Sequence, residues 1–275
     1  MHARSLKFSA FRAIEHTLDR PGGRLLLGAL GRARRGVHSA LVSAHIWRAR
    51  RVWVPIRSAA RGATAREELA RDLFFQQYTP RPGDTVLDVG AGAGEEAELL
   101  SRLVGPAGRV YAVEAHPATF AALESRCRAA RLENVVPVHA AVSDRVGTVS
   151  FSDGASYREN RIVADPGGLA VPALTLDELV DRWALDQIDF VKLNIEGAEE
   201  AALRGLARHA VRVRHLTVSC HDFIADRGGA PSNRTNAAVR RLLGGYGFTV
   251  TGRRRGDRRH WTRPYLYGAR SSIST

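Results

Sequence analysis

Residues 85–114 read TVLDVGAGAGEEAELLSRLVGPAGRVYAVE. The opening TVLDVG, Thr85 to Gly90, is a short apolar, β-branched run that closes on glycine, as a buried strand does. EEAELLSRLVG then repeats its apolar residues at helical spacing and halts at Gly105, and RVYAVE resumes the strand pattern at Arg109. Two strands joined by a helix are a βαβ unit, and a crossover of that kind makes the strands parallel.

The rhythm continues downstream. ATFAALESRCRAARL (118–132) reads as a helix and VVPVHAAVSD (135–144) as a third strand, while the polar, Gly/Pro-rich stretch 152–173 reads as a long loop. LTLDELVDRWA follows as a helix that Thr175 can cap, then IDFVKLNIEG (188–197) as a strand and AEEAALRGLARHA (198–210) as a helix. VRHLTVSC (213–220) is a strand, SNRTNAAVRRLLGGYG (232–247) a helix, and FTVTG and WTRPYLYGAR the closing strands. This alternation predicts an α/β fold, a largely parallel sheet with helices on both faces. No internal repeat interrupts it.

With 275 residues, 44% of them hydrophobic, the chain can bury one large α/β domain and carry an appendage. Its two cysteines, Cys127 and Cys220, lie far apart and outside any CxxC pattern. Neither a disulfide framework nor a structural zinc site is expected, and a reducing, cytoplasmic location is the default. No apolar run approaches the length of a membrane span, and no signal peptide is recognised.

The net charge of +13 points to nucleic acid or an anionic surface until it is mapped. Residues 1–62 hold 13 Lys and Arg against 2 acids, residues 253–275 hold 7 against 1, and residues 63–252 hold 21 against 25. The central body is mildly acidic, so the excess belongs to the two ends. Residues 1–62 form a basic, helix-patterned arm preceding the domain 63–275. Such an arm suits peripheral contact with an anionic membrane at the inner surface, or packing on the body as a solvated helix.

Four features carry chemistry. DVGAGAG, Asp88 to Gly94, lets the backbone turn tightly and approach a ligand at the positive end of a helix, although a glycine turn serves purely structural needs as well. A dinucleotide fingerprint would place its third glycine at 95, where Glu95 stands; the acids Glu95, Glu96 and Glu98 disfavour a pyrophosphate and suit a cofactor with a cationic centre. Glu114 ends the next strand, where a carboxylate can accept both hydroxyls of a ribose. Together the two signals indicate an adenosine-containing cofactor.

The third feature is VKLNIEGAEE (191–200), with one of only two lysines in the chain. By strand alternation Lys192, Asn194 and Glu196 share one side and reach the carboxyl end of the strand. A lysine and a glutamate there can shift each other's pKa and orient a substrate hydroxyl, whereas the alternative is that Glu196, Glu199 and Glu200 complement a helix N-terminus. The fourth is His221, beside Asp222 after the fifth strand of the pattern and the best candidate for a general base. In the 152–173 loop, Tyr157, Arg158, Asn160 and Arg161 are candidates to contact a polar acceptor, the alternative being that the stretch is a mobile surface loop.

TVLDVGAGAG, GRVYAVEAHPATFAAL, ENVVPVHAAVSDRVGTVSF, TLDELV and IDFVKLNIEGAEEAALRG, in that order, resemble the FkbM type of S-adenosylmethionine-dependent methyltransferase. The resemblance runs from about Pro82 to Asp222. It implies a Rossmann-like, seven-stranded class I methyltransferase sheet and methyl transfer from S-adenosyl-L-methionine, commonly to a hydroxyl of a sugar, lipid or natural-product intermediate. It further implies that Asp88, Gly90, Gly92 and Glu114 contact the cofactor, that Gly94 shapes the loop, and that Ala141, Val142 and Asp144 lie against the adenine. Lys192, Asn194, Glu196 and His221 then fall in the catalytic region, with Glu199, Tyr157 and Arg158 toward the acceptor. Where the family often has aspartate this chain has Asn194, an amide that can hold a ligand by hydrogen bonds but cannot act as a carboxylate base or a strong metal ligand, so no metal is expected. Two rival readings stand. One is a nucleic-acid methyltransferase, disfavoured by charge that lies in the tails and by the absence of an Asn-Pro-Pro-Tyr segment after the fourth strand. The other is a cofactor-binding scaffold without turnover.

Overall fold

The computed structural model describes residues 67–151, 168–226, 231–253, 262 and 265–270, all within the unit Thr64–Thr275. The basic arm 1–62, the loop residues Tyr157, Arg158, Asn160 and Arg161, and most of the C-terminal arginine cluster lie outside the described residues. The strands are β1 (Thr85–Val89), β2 (Arg109–Glu114), β3 (Val135–His139), β4 (Ala141–Val142), β5 (Gly147–Phe151), β6 (Leu169–Leu174), β7 (Ile188–Leu193), β8 (Val213–Ser219), β9 (Thr249–Gly252) and β10 (Tyr265–Ala269). The helices are α1 (Glu95–Val104), α2 (Pro117–Ala129), α3 (Leu176–Arg182), α4 (Glu199–Arg204), α5 (Asp222–Asp226) and α6 (Asn236–Gly245), and residues 67–73 are also helical.

Seven strands form one sheet in the order β3-β2-β1-β7-β8-β10-β9, the seven-stranded Rossmann-like sheet that was expected. The first five of these are parallel, and β10 runs antiparallel between β8 and β9. Strand alternation divides the core between two faces. Leu87, Val89, Val191, Leu193, Leu216 and Val218 pack with Leu179 of α3, Leu203 of α4 and Leu243 of α6. Val86, Val110, Ala112 and Phe190 pack on the opposite face with Leu100 of α1, Leu123 of α2, and Phe74 and Phe75. Among the described residues no helix is long and apolar enough to cross a membrane.

Local chemistry sets the element ends. Gly94 enters α1 in the left-handed conformation, and Glu95, Glu96 and Glu98 in its first turn complement the positive end of the helix. Pro117 opens α2, where its missing N–H costs nothing, and Thr175 accepts from the Glu178 N–H at 2.9 Å as the expected cap of α3. The helical segment 67–73 ends against the sheet, where three side chains from separate places take its last carbonyls. Arg253 donates to the Asp72 carbonyl, the Tyr267 hydroxyl to the Leu73 carbonyl at 3.0 Å, and the Thr217 hydroxyl to the Phe74 carbonyl at 2.6 Å.

Three expectations need correction. The loop foreseen for 152–173 gives way to strand β6 at Leu169, and β4, β6 and β5 form a separate three-stranded sheet. Pro172 argued against a strand there. The partner β4 pairs only Ala173 and Leu174, so at Pro172 the strand has a free edge, which tolerates a missing N–H. The run 135–144 is not one strand, since β3 stays in the main sheet while Ala141 and Val142 pair with β6. Finally α4 stops at Arg204 instead of continuing to 210. A Cβ at Gly205 would lie 2.3 Å from the Ser143 carbonyl oxygen, and the two segments meet at that glycine.

Candidate active site

Strands β1, β2, β7 and β8 end at Val89, Glu114, Leu193 and Ser219, and the antiparallel β10 brings its first residue, Tyr265, opposite Ser219 at the same edge. The chain proceeds from β1 outward to β2 and β3 on one side and from β7 to β8 on the other. The gap between β1 and β7 is therefore the switch point, where open α/β sheets bind ligands.

The glycine loop spans that gap. Gly90, Gly92 and Gly94 have φ of 79°, 58° and 88°, a region that other residues adopt only with strain. A Cβ on Gly90 would fall 2.1 Å from the Asn194 carbonyl oxygen and one on Gly94 2.7 Å from Leu123 Cδ1, whereas at Gly92 nothing among the described residues lies within 4 Å. Packing accounts for the first and third glycines; only the second leaves room for a ligand. Arg126 of α2 pins the loop, donating to the Ala93 carbonyl at 2.8 Å and to Glu98 at 3.1 Å, with Glu95 at 3.4 Å. Glu95 and Glu98 are thereby occupied, while Glu96 remains within electrostatic reach of Lys192 and Tyr265.

Glu114 closes the other side of the loop. Its Oε2 accepts from the Gly92 N–H at 3.0 Å and its Oε1 from the His116 N–H at 2.9 Å, leaving each oxygen a further lone pair. Burial pushes its carboxyl pKa upward, against the opposing pull of those N–H groups and of Lys192.

Lys192 is buried, 2% exposed, and its Nζ donates to Asp88 Oδ1 at 2.6 Å and to the Gly90 carbonyl at 3.1 Å. Burial alone would favour loss of its proton, but Asp88 and, farther off, Glu96 outweigh that and hold the ammonium above the ordinary lysine range. The expected pairing of Lys192 with Glu196 is corrected accordingly. Lys192 is a fixed cation tying β7 to β1, and the ring of Phe74 covers it with its centroid 5.4 Å from Nζ. The second oxygen of Asp88, Oδ2, is buried and has no hydrogen-bond partner among the described residues.

Glu196 belongs to a second chain of contacts. Its backbone holds φ at 52°, an uncommon conformation for a residue with a side chain. Its carboxylate stands 3.3 Å from His221 Nε2; His221 Nδ1 donates to Glu199 Oε1 at 2.6 Å; and Glu199 also accepts from the Gly197 N–H at 2.9 Å and the Thr235 hydroxyl at 2.9 Å. Burial would lower the pKa of His221, but hydrogen bonds to Glu196 and Glu199 prevail and push it up to about 10. The imidazole is thus an imidazolium at neutral pH, with both N–H groups engaged. The residue expected as the general base thus has a carboxylate at each ring nitrogen, Glu196 at Nε2 and Glu199 at Nδ1. Glu199, expected toward the acceptor, is 0% exposed, and its carboxylate is engaged by His221, the Gly197 N–H and Thr235. Of the three ionisable side chains in this chain of contacts Glu196 is the exposed one, at 26%, against 4% for His221 and 0% for Glu199.

The remaining expectations divide. Asp88, Gly90, Gly92, Gly94, Glu114, Lys192, Asn194, Glu196 and His221 gather at one sheet edge, and the Asn194 N–H donates to the Val89 carbonyl at 3.0 Å. Ala141 and Val142 are buried in β4, their side chains committed to packing, and Asp144 is exposed, with Ser143 Oγ at 3.3 Å. Glu96, one of the acids expected near a cationic cofactor, lies within electrostatic reach of this edge, whereas Phe74, Thr235 and Tyr265 were missed. Tyr265 is buried beside Phe74, ring centroids 5.9 Å apart, and burial pushes its phenol pKa upward against the Ser219 hydroxyl. Only the reversed direction of β10, a long-range property, carries Tyr265 to this edge.

A family model described as the methyltransferase FkbM domain matches residues 88–250, more than half of the chain. Over 44 residues the chain is 60% identical to the protein-L-isoaspartate O-methyltransferase of Aeropyrum pernix, covering 16% of this chain and 17% of that protein. Over 140 residues it is 28% identical to the hexuronic acid methyltransferase AglP of Haloferax volcanii, covering 50% of this chain and 56% of that protein. The chain thus spans less than two thirds of either relative. A crystal structure of a methyltransferase FkbM from Methylobacillus flagellatus aligns with a TM-score of 0.48 at 16% identity, over 70% of this chain and 45% of that one.

Proposed function

The chain belongs to the methyltransferase FkbM family, which uses S-adenosylmethionine, and from that premise we propose that it methylates a hydroxyl oxygen of a sugar, lipid or natural-product intermediate. The observation that carries this reading is the position of Glu196, an accessible carboxylate held by the His221 imidazolium beside the glycine loop. The similarity to a hexuronic acid methyltransferase supports a sugar-like acceptor.

The residues at the switch point fit the cofactor. The unpartnered, buried Oδ2 of Asp88 suits an ammonium group, the open side of Gly92 leaves space, and the free lone pairs of Glu114 suit ribose hydroxyls. S-adenosylmethionine supplies an electrophilic methyl group. The chain's own work is to align the acceptor with it, which governs much of the rate of such a displacement. Glu196 accepts the acceptor's hydroxyl hydrogen and takes its proton as the new O–C bond forms. Both N–H groups of His221 fix the carboxylates around it, and the buried Glu199 balances the imidazolium charge.

Calorimetric titration of S-adenosylhomocysteine, paired with labelled methyl transfer to a panel of sugars, uronic acids, lipids and tRNA, tests the reading. Glu114→Ala is expected to abolish binding, and Glu196→Gln to bind normally while transferring about 100-fold more slowly. Full transfer by Glu196→Gln would remove Glu196 from the chemistry. Methylation of tRNA alone would favour the nucleic-acid reading, and binding without turnover on any acceptor would favour a scaffold.

A further inference from the structure

The family match begins at residue 88, yet the buried Asp88–Lys192 pair is roofed by a residue from before it. Phe74 is 6% exposed, its ring faces the Lys192 ammonium at 5.4 Å, and it lies against Tyr265. Its position is not left to packing. The carbonyls of Asp72, Leu73 and Phe74 are taken by Arg253, Tyr267 and Thr217 respectively, and Arg253 also donates to the Asp72 carboxylate at 2.5 Å. Thr217 and Tyr267 are themselves buried, at 1% and 2% exposure. Three donors on β8, β10 and the end of β9 therefore fix the segment that carries one aromatic ring over one cation.

We propose that Phe74, seated by this three-point clamp, is a positioning residue of the cofactor site. It excludes water from the Asp88–Lys192 pair, so that Lys192 stays on Oδ1 and Oδ2 is presented dehydrated to the cofactor's amino group. The physical reason is that water beside Nζ or Oδ2 would offer each charge a competing partner, and a charge-assisted hydrogen bond weakens as its surroundings become aqueous. The aromatic face satisfies the ammonium without a lone pair that would have to be displaced. The inference rests on the reading that Asp88 holds the amino-acid end of S-adenosylmethionine.

The test is titration of the full chain with S-adenosylhomocysteine and with its analogue lacking the α-amino group, for wild type, Phe74→Ala, Thr217→Val and Tyr267→Phe, each checked for cooperative thermal unfolding. In the wild type the amino group is expected to strengthen binding by about 10- to 100-fold, the range of a buried charge-assisted hydrogen bond. Phe74→Ala should bind S-adenosylhomocysteine about tenfold more weakly while its affinity for the deaminated analogue stays within about twofold of wild type, because only the bond to Oδ2 is weakened. The clamp variants should shift in the same direction by less, and they carry the test should Phe74→Ala fail to fold. Equal losses for the two ligands would mean a structural role and overturn the proposal, as would wild-type affinity in the folded variants. Failure of the wild type to bind S-adenosylhomocysteine would instead overturn the cofactor reading beneath it.

Discussion

Replacing Lys192 with methionine removes one half of a fully buried ion pair and leaves the other charged. Asp88 is 0% exposed and its Oδ1 sits 2.6 Å from Nζ, so the variant strands a carboxylate in a dry site. Breaking a buried pair from one side costs about 3–5 kcal/mol. For a folded unit of this size that corresponds to a fall in melting temperature of about 6–20 °C, at about 2–4 °C per kcal/mol. The double variant Asp88→Asn/Lys192→Met removes both charges and should regain most of that loss, since a neutral pair incurs no ion desolvation. It should not regain binding of S-adenosylhomocysteine, because the Oδ2 carboxylate is gone. Scanning calorimetry of both variants, followed by titration of the folded ones, separates the two roles. If single and double variants melt at the same temperature, charge pairing is not what Lys192 supplies. If the double variant binds like wild type, Asp88 does not hold the cofactor.

The titration of His221 should appear in stability. Its folded pKa of about 10 lies above the ordinary 6.5, so its contribution is complete below pH 6.5, declines above it and is gone once pH passes about 10; urea midpoints from pH 6 to 11 should show this fall in wild type and not in His221→Gln. Alanine at Gly90 should lower stability more than alanine at Gly92, because its Cβ would lie 2.1 Å from the Asn194 carbonyl oxygen while that of Gly92 meets nothing within 4 Å among the described residues. At Gly92 the left-handed backbone alone costs about 1–2 kcal/mol, and the larger effect should fall on affinity for S-adenosylhomocysteine, measured by titration.

What was legible in the sequence was local. The run from Thr85 to Glu114 announces its strand, loop, helix and strand because each depends on neighbours a few residues away, and Thr175 reads as a cap for the same reason. The edge at which Asp88, Glu114, Glu196 and His221 meet followed from strand order alone. Roles were harder to read, since a side chain's role depends on its partner. Lys192 finds Asp88 104 residues earlier, across the β1–β7 ladder, while Glu196 lies only four residues from it in sequence and serves another network. The two carboxylates that flank His221 were not legible beside it because both lie upstream, brought to it by the turn into α4. Strand β6 was hidden by Pro172, whose cost depends on where β4 ends.

The clamp on residues 72–74 also bears on the order of assembly. Its hydrogen bonds join segments 143 and 194 residues apart, so Leu73 and Phe74 are synthesised long before the strands that receive them. Contacts of such separation are late and slow to form. A nascent chain that already pairs β1 with β7 still lacks β10, and the Asp88–Lys192 pair stays open to water on that side until Tyr265 and Tyr267 arrive. On the proposed role of Phe74, full cofactor affinity requires β10 in place, and in refolding the return of S-adenosylhomocysteine binding is expected no earlier than burial of Tyr265 and Tyr267.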